Sequence, residues 1–164
     1  MNAAPSPLRF LGAAWFAPVM GLAGLCLAWH RASPVMGETA PAVALVLAVT
    51  AAVAFIGVAV AWTVRASRFP EAMREDFAHP VRHPFVAAIP VSAILLATAA
   101  VALDGPSILA HGLWAAGSTA QLATTTWVVG RWWRGNRPDG LPWGSLTPAM
   151  FIPVVGNVLV PLAG

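Results

Sequence analysis

Five stretches of the 164-residue chain run almost without charge, at about 10–29, 41–64, 85–103, 107–130 and 148–164. As α-helices rising 1.5 Å per residue, the first four are about 19 to 24 residues long and reach roughly 30 Å, the thickness of a bilayer's hydrocarbon core. The fifth, of about 17 residues, is short for a full crossing. Charged and Gly/Pro-containing segments separate them, among them Gly135-Asn136-Arg137-Pro138-Asp139-Gly140 ahead of the fifth. The pattern predicts an all-α multi-pass membrane protein, with residues 1–164 forming a single transmembrane domain.

Proline marks the odd-numbered stretches, as Ala17-Pro18-Val19, Ile89-Pro90-Val91 and Ile152-Pro153-Val154, and is absent from the interior of the even ones. The prolines are about 72 and then about 63 residues apart, so the repeating unit is a helical hairpin with a kinked first and a straight second member. A mid-helix proline leaves the carbonyl four residues back without its donor, here Ala14, Val86 and Ala149. Such groups are tolerated only against protein or a water-filled cavity, so the odd helices are expected to face inward.

Composition agrees and removes several chemistries. The chain is 59% hydrophobic and 9% charged, against roughly 25% charged in a soluble domain. All nine basic residues are Arg, which leaves no Walker A or Schiff-base lysine. A lone Cys26 excludes disulfide frameworks and multi-cysteine zinc sites. The net charge of +3 does not signal nucleic acid, because the basic residues sit between apolar stretches; it signals topology. Arg9 precedes the first stretch, Arg65, Arg68, Arg74 and Arg82 follow the second, Arg131, Arg134 and Arg137 follow the fourth, and only Arg31 lies on the other side. The bias predicts a cytoplasmic N-terminus in the cell (inner) membrane, with Glu38 and Asp104 in outer loops. Trp29, Trp62, Trp132, Trp133 and Trp143 fall near helix ends, where indoles sit at headgroup level. The first stretch is too long for a signal-peptide core and is expected to stay in the protein.

The segments FAPVMGLAGLCLAW at 16–29, DFAHPVRHPFVAAIPVSAIL at 76–95, Gln121, and TPAMFIPVVGN at 147–157 resemble the tellurite-resistance and dicarboxylate transporter family, whose relatives include bacterial TehA and the plant slow-type anion channel. The run His79-Pro80-Val81-Arg82, followed by a Phe and an Ile-Pro pair, is the most specific part, and the similarity extends over essentially the whole chain. The resemblance implies five helical hairpins around one pore, with odd helices in an inner ring, even helices outside, and protomers joined as a homotrimer. It implies small inorganic or organic anions as cargo, of the tellurite, C4-dicarboxylate, sulfite, nitrate or chloride class. Family members have ten helices, and five hairpins at this period need about 320 to 350 residues, so the chain corresponds to the N-terminal half. The phenylalanine that closes the family's pore lies on the ninth helix, outside this sequence. Ala17 stands where the family has a helix-one glycine beside that gate, with the proline offset by one.

His79 and His83 are spaced i, i+4 like helical metal ligands, but Pro80 and Pro84 follow them directly and disfavour helix there. No metal site is expected. With Glu71, Arg74, Glu75, Asp76 and Arg82 they are expected in a solvated inner loop, Arg82 lying near lipid phosphates or helix ends. His30 and His111 lie near outer helix ends and do not make a haem pair. Carboxylates inside the stretches are absent, which disfavours an ion-coupled pump, and no nucleophile has a base beside it, so neither an enzyme nor a cofactor is expected.

The candidate pore-lining residues are Pro18, Gly21, Pro90, Ser92, Pro153 and Asn157. For Ser92 and Thr98 the competing reading is a bond to the preceding turn. Asn157 has two donors and an acceptor to satisfy and belongs either in a pore wall or at a helix interface. Gly21 and Gly24 either allow a close backbone approach or widen a pore. Ser118, Thr119, Gln121 and Thr124, Thr125 and Thr126 read as interhelical packing or protomer contact. The leading functional class is an anion channel or facilitator; the alternative is an incomplete or half-size membrane protein acting as a scaffold or subunit.

Overall fold

The computed structural model describes residues 6–138, 140–145 and 147–162. Asp139 of the expected turn and the last two residues of the fifth stretch lie outside them. All regular elements among the described residues are helical: α1 (Ala17–Arg31), α2 (Ser33–Met36), α3 (Thr39–Arg68), α4 (Pro70–Ala78), α5 (Ala88–Asp104), α6 (Ile108–Arg134) and α7 (Ile152–Gly156), with 3-10 turns between them. Three helical stretches, Ala13–Arg31, Thr39–Arg68 and His83–Asp104, are long and apolar enough to cross a membrane. α6 has 27 residues and spans roughly 40 Å. Its His111, Ser118, Gln121 and threonines make it less apolar than those three. The stretch Pro148–Leu162 is apolar and shorter.

The helices pair as hairpins, α1 with α3 and α5 with α6, and the two hairpins join through α1 and α5. Between α5 and α6 the chain reverses at Gly105, whose φ of 83° is a left-handed conformation costly for other residues. Ser107 then caps α6 by accepting the Ala110 N–H at 3.1 Å. Lipid is as apolar as leucine, so close packing, not hydrophobicity, holds such helices together. α3 accordingly buries Ala40, Ala44 and Ala51 and leaves Leu45, Val46, Val49, Val53, Ile56 and Val60 exposed. Val19 and Ala23 of α1 meet Ala51 of α3 and Val91, Leu95 and Leu96 of α5 in one cluster. α5 is the central helix, buried continuously from Pro90 to Ala99, and its all-round apolar sequence is that of a core helix.

Prolines 18, 90 and 153 do not kink helices at mid-length, which corrects the expectation from the repeat. Each stands in the first turn of an α-helix that continues from a 3-10 turn: Ala13–Phe16 before α1, His83–Ala87 before α5 and Pro148–Phe151 before α7. A first-turn residue has no intrahelical partner for its N–H, so proline costs nothing there. The three carbonyls expected to lack donors have them. Ala14 accepts from the Ala17 N–H, Ala149 from Ile152, and Val86 shares the Ala88 N–H with Phe85.

The segment after the second stretch is helical where a loop was expected: α3 continues through Arg65, which is buried, and α4 begins at Pro70, another first-turn proline. Glu71, Arg74, Glu75, His79 and Arg82 are exposed, Asp76 is half-buried, and His83 departs from the expectation. His83 is fully buried, with its ring edge-on to Trp127 at 5.5 Å between centroids.

Candidate permeation face

α1 exposes one side, formed by Ala17, Pro18, Gly21, Gly24 and Ala28 together with the larger Leu25. Every one of these positions except Leu25 is small. A Cβ built at Gly21 or Gly24 would meet nothing within 4 Å, so neither glycine is the seat of a close helix approach among the described residues. The exposed side of α3 is the opposite in kind, a band of Leu, Val and Ile suited to acyl chains. One hairpin thus presents two different exteriors.

Of the six candidate residues, Pro18 and Gly21 lie on the small-residue side of α1, and Pro90, Ser92 and Pro153 are buried. The Ser92 hydroxyl donates to the Ala88 carbonyl at 2.7 Å and lies 3.2 Å from the Phe16 carbonyl. It therefore ties α5 to the start of α1 and sits inside the packed wall. Thr98 bonds back to Ile94 at 2.8 Å.

Asn157 is half-buried and belongs to the contact between α6 and α7, one of its two expected settings. After Gly156 the chain tightens into a 3-10 turn, and the Asn157 N–H goes to the Val154 and Val155 carbonyls. The Pro153 carbonyl is thereby left for side chains. It accepts Gln121 Nε2 at 2.6 Å and Asn157 Nδ2 at 3.0 Å, and Thr125 Oγ1 lies 2.8 Å away. Asn157 Nδ2 also donates to Thr125 Oγ1 at 2.9 Å. A Cβ at Gly156 would collide with Gln121 Nε2 and come within 2.7 Å of Val91 Cγ2, so α5, α6 and α7 converge there. The sequence marks Asn157 as a polar group needing partners and Gln121 as a packing or protomer-contact residue; it gives no sign of the Pro153 carbonyl that joins them.

The two histidines of the i, i+4 pair do not converge. His79 is exposed and its Nδ1 accepts the Val81 N–H at 3.2 Å, whereas His83 is buried against Trp127. Among the described residues no group of three or more His, Cys, Asp or Glu gathers.

The basic cluster beside α4 escaped the sequence reading, because charged residues after an apolar stretch read as a solvated loop. Arg65 Nη2 lies 2.7 Å from Asp76 Oδ2, its Nε donates to the Arg9 carbonyl at 2.9 Å, and Nη1 and Nη2 reach Met73 Sδ and the Ala72 carbonyl. Arg82 Nη1 takes the other Asp76 oxygen at 3.1 Å. Arg131 donates to the Phe77 carbonyl and stacks over Trp127 at 5.6 Å.

No curated protein matches the chain. A family model described as "Voltage-dependent anion channel" matches residues 11–164, the same family to which the segments quoted above bear a resemblance. With a match over nearly its whole length and an all-α, membrane-crossing architecture, the chain belongs to the voltage-dependent anion channel family.

Proposed function

We propose that this chain supplies part of the wall of a path for small anions, and that the small-residue side of α1, with Pro18 and Gly21 at its centre, faces that path. The observation that carries the reading is the contrast within one hairpin: α3 exposes large aliphatic side chains and α1 exposes Ala, Gly and Pro. Ser92, Pro90, Pro153 and Asn157 act behind the wall, holding α5 and α7 in place. Of α1, α5 and α7, only α5 carries a carboxylate, Asp104 at its very end, so the ring of carboxylates that cation channels use cannot be built from them. The N-termini of α1 and α5 both follow 3-10 turns at the end of the bundle that carries Arg9, Arg65 and Arg82, and helix dipoles there favour anions. That end is the cytoplasmic one by the Arg asymmetry, in the inner membrane of the cell. The cargo is of the tellurite, C4-dicarboxylate, sulfite, nitrate or chloride class, and the assembly is a homotrimer.

The test is the reversal potential of purified protein in a planar bilayer under a KCl gradient. Reversal near the chloride equilibrium potential is expected, and Gly21→Asp is expected to lower the current at least about tenfold, since a carboxylate in a narrow path repels the permeant ion. Reversal at the potassium potential in the unmodified protein would refute the reading.

A further inference from the structure

Where α3 ends and α4 lies beside it, the structure forms a half-open cavity of about 670 Å³. Its lining comes from the 3-10 turns ahead of α1 and α5, the last turns of α3, and α4. Most of the wall is apolar, with Trp15 and Trp62 as its largest members, and its polar side carries Arg9, Arg65 and Arg82 against Glu75 and Asp76. Three guanidiniums thus face two carboxylates.

These guanidiniums are not equivalent. Arg65 is buried and gives its donors to Asp76, two backbone carbonyls and Met73. Arg9 and Arg82 have side chains 49% and 59% exposed. Arg82 makes one short contact to Asp76, and Arg9 only a 4.0 Å contact to Glu75. Each guanidinium has five N–H groups in a fork that fits phosphate, so both retain donors for an incoming anion.

A soluble oxyanion would use the guanidiniums and leave the apolar wall idle; a purely apolar molecule would do the reverse. The cavity supplies both, and its volume is many times that of an inorganic oxyanion. Tryptophans at the ends of membrane helices mark the headgroup level of a bilayer. Trp15 is 58% exposed and Phe10 68%, large aromatic surfaces left open beside the cavity. We infer that the cavity is a binding site for a phosphate-bearing amphiphile, the headgroup of an anionic phospholipid, with the phosphate on Arg9 and Arg82 and the first methylenes against Trp15 and Trp62. The inference requires residence in a bilayer and is independent of which ions the protein conducts.

The experiment titrates detergent-purified full chain with dioctanoyl phosphatidylglycerol, dioctanoyl phosphatidylcholine or inorganic phosphate and reads the thermal unfolding midpoint. Saturable stabilisation by phosphatidylglycerol is expected, with apparent affinity for phosphatidylcholine at least about tenfold weaker and no shift from phosphate at the same concentrations. The Arg9→Gln/Arg82→Gln double variant should bind phosphatidylglycerol at least about tenfold more weakly. Trp15→Ala, a mostly exposed side chain, should weaken binding of both lipids and serves as the variant if the Arg pair proves necessary for folding. Equal binding of the two lipids overturns the inference, as does undiminished phosphatidylglycerol binding by either variant. Phosphate acting as strongly as phosphatidylglycerol would make the cavity a soluble-anion site and overturns it too.

Discussion

Arg65 and Asp76 meet at 2.7 Å across the junction of α3 and α4, with side chains 2% and 13% exposed. The pair explains how a 30-residue apolar helix can end on a buried guanidinium. An uncompensated charge there would be costly, and Asp76 neutralises it while Arg9 and Ala72 carbonyls take its remaining donors. α4 is thereby fastened to α3 and to the segment leading into α1, so the connection between the hairpins is a fixed part of the bundle.

Replacing Asp76 should expose that dependence. Asp76→Ala leaves Arg65 buried without its counter-charge and is expected to cost about 3 kcal/mol, read as a lower thermal midpoint in detergent. Glu71→Ala removes an exposed partner of Arg74 and should change stability by no more than about 0.5 kcal/mol. Equal midpoints for the two variants would show that the carbonyls alone satisfy Arg65.

A matched pair of glycines tests what surrounds α1. Gly21 and Gly57 are both exposed, and a Cβ at either meets nothing within 4 Å. Gly57→Asp, on the aliphatic side of α3, should cost on the order of 2–3 kcal/mol of insertion and reduce accumulation in the membrane. Gly21→Asp should accumulate normally, since its carboxylate would meet water in the path. Equal losses for the two would place α1 against lipid.

Two other glycines should respond oppositely to alanine. Gly156→Ala forces a methyl into Gln121 and Val91, an overpacking expected to cost about 1–3 kcal/mol and to loosen α7. Limited proteolysis of the 135–150 segment should then be faster. Gly24→Ala meets open space and should stabilise α1 by roughly 0.5–1 kcal/mol through helix propensity.

Gln121 and Asn157 share one acceptor, the Pro153 carbonyl, and should not behave independently. Each of Gln121→Leu and Asn157→Leu should cost about 1 kcal/mol while the other donor remains. The double variant should exceed the sum by on the order of 0.5–1 kcal/mol, because the carbonyl then keeps only Thr125. Strict additivity in chemical unfolding would show that the two side chains act separately.

Charge-free length pointed to helices, because a helix is the one way a single segment satisfies its backbone in lipid, but not to where each begins: α1 starts only at Ala17, after two 3-10 turns. The proline repeat was equally visible, yet its meaning was misread: Pro18, Pro90 and Pro153 are helix starters, and periodicity alone does not say whether the preceding turn is α or 3-10. Arg65 and His83 were hidden for another reason. Their burial depends on α4 and on Trp127, partners that lie 11 and 44 residues away in the chain, and no local pattern records such a pairing. Of the candidate pore-lining residues, Pro18 and Gly21 are exposed, whereas the Ser92 hydroxyl is spent on backbone carbonyls, a partner that polarity alone does not reveal.

The 3-10 turns ahead of α1, α5 and α7 carry a geometric consequence for the direction of their side chains. Compared with α geometry, each residue in such a turn adds roughly 0.5 Å of rise and roughly 20° of winding. A four-residue lead-in therefore stands about 2 Å taller and is overwound by about 80° relative to a uniform helix. The overwinding turns Phe16, His83 and Met150 to headings that a uniform helix would not give them, and it is at those headings that all three are buried.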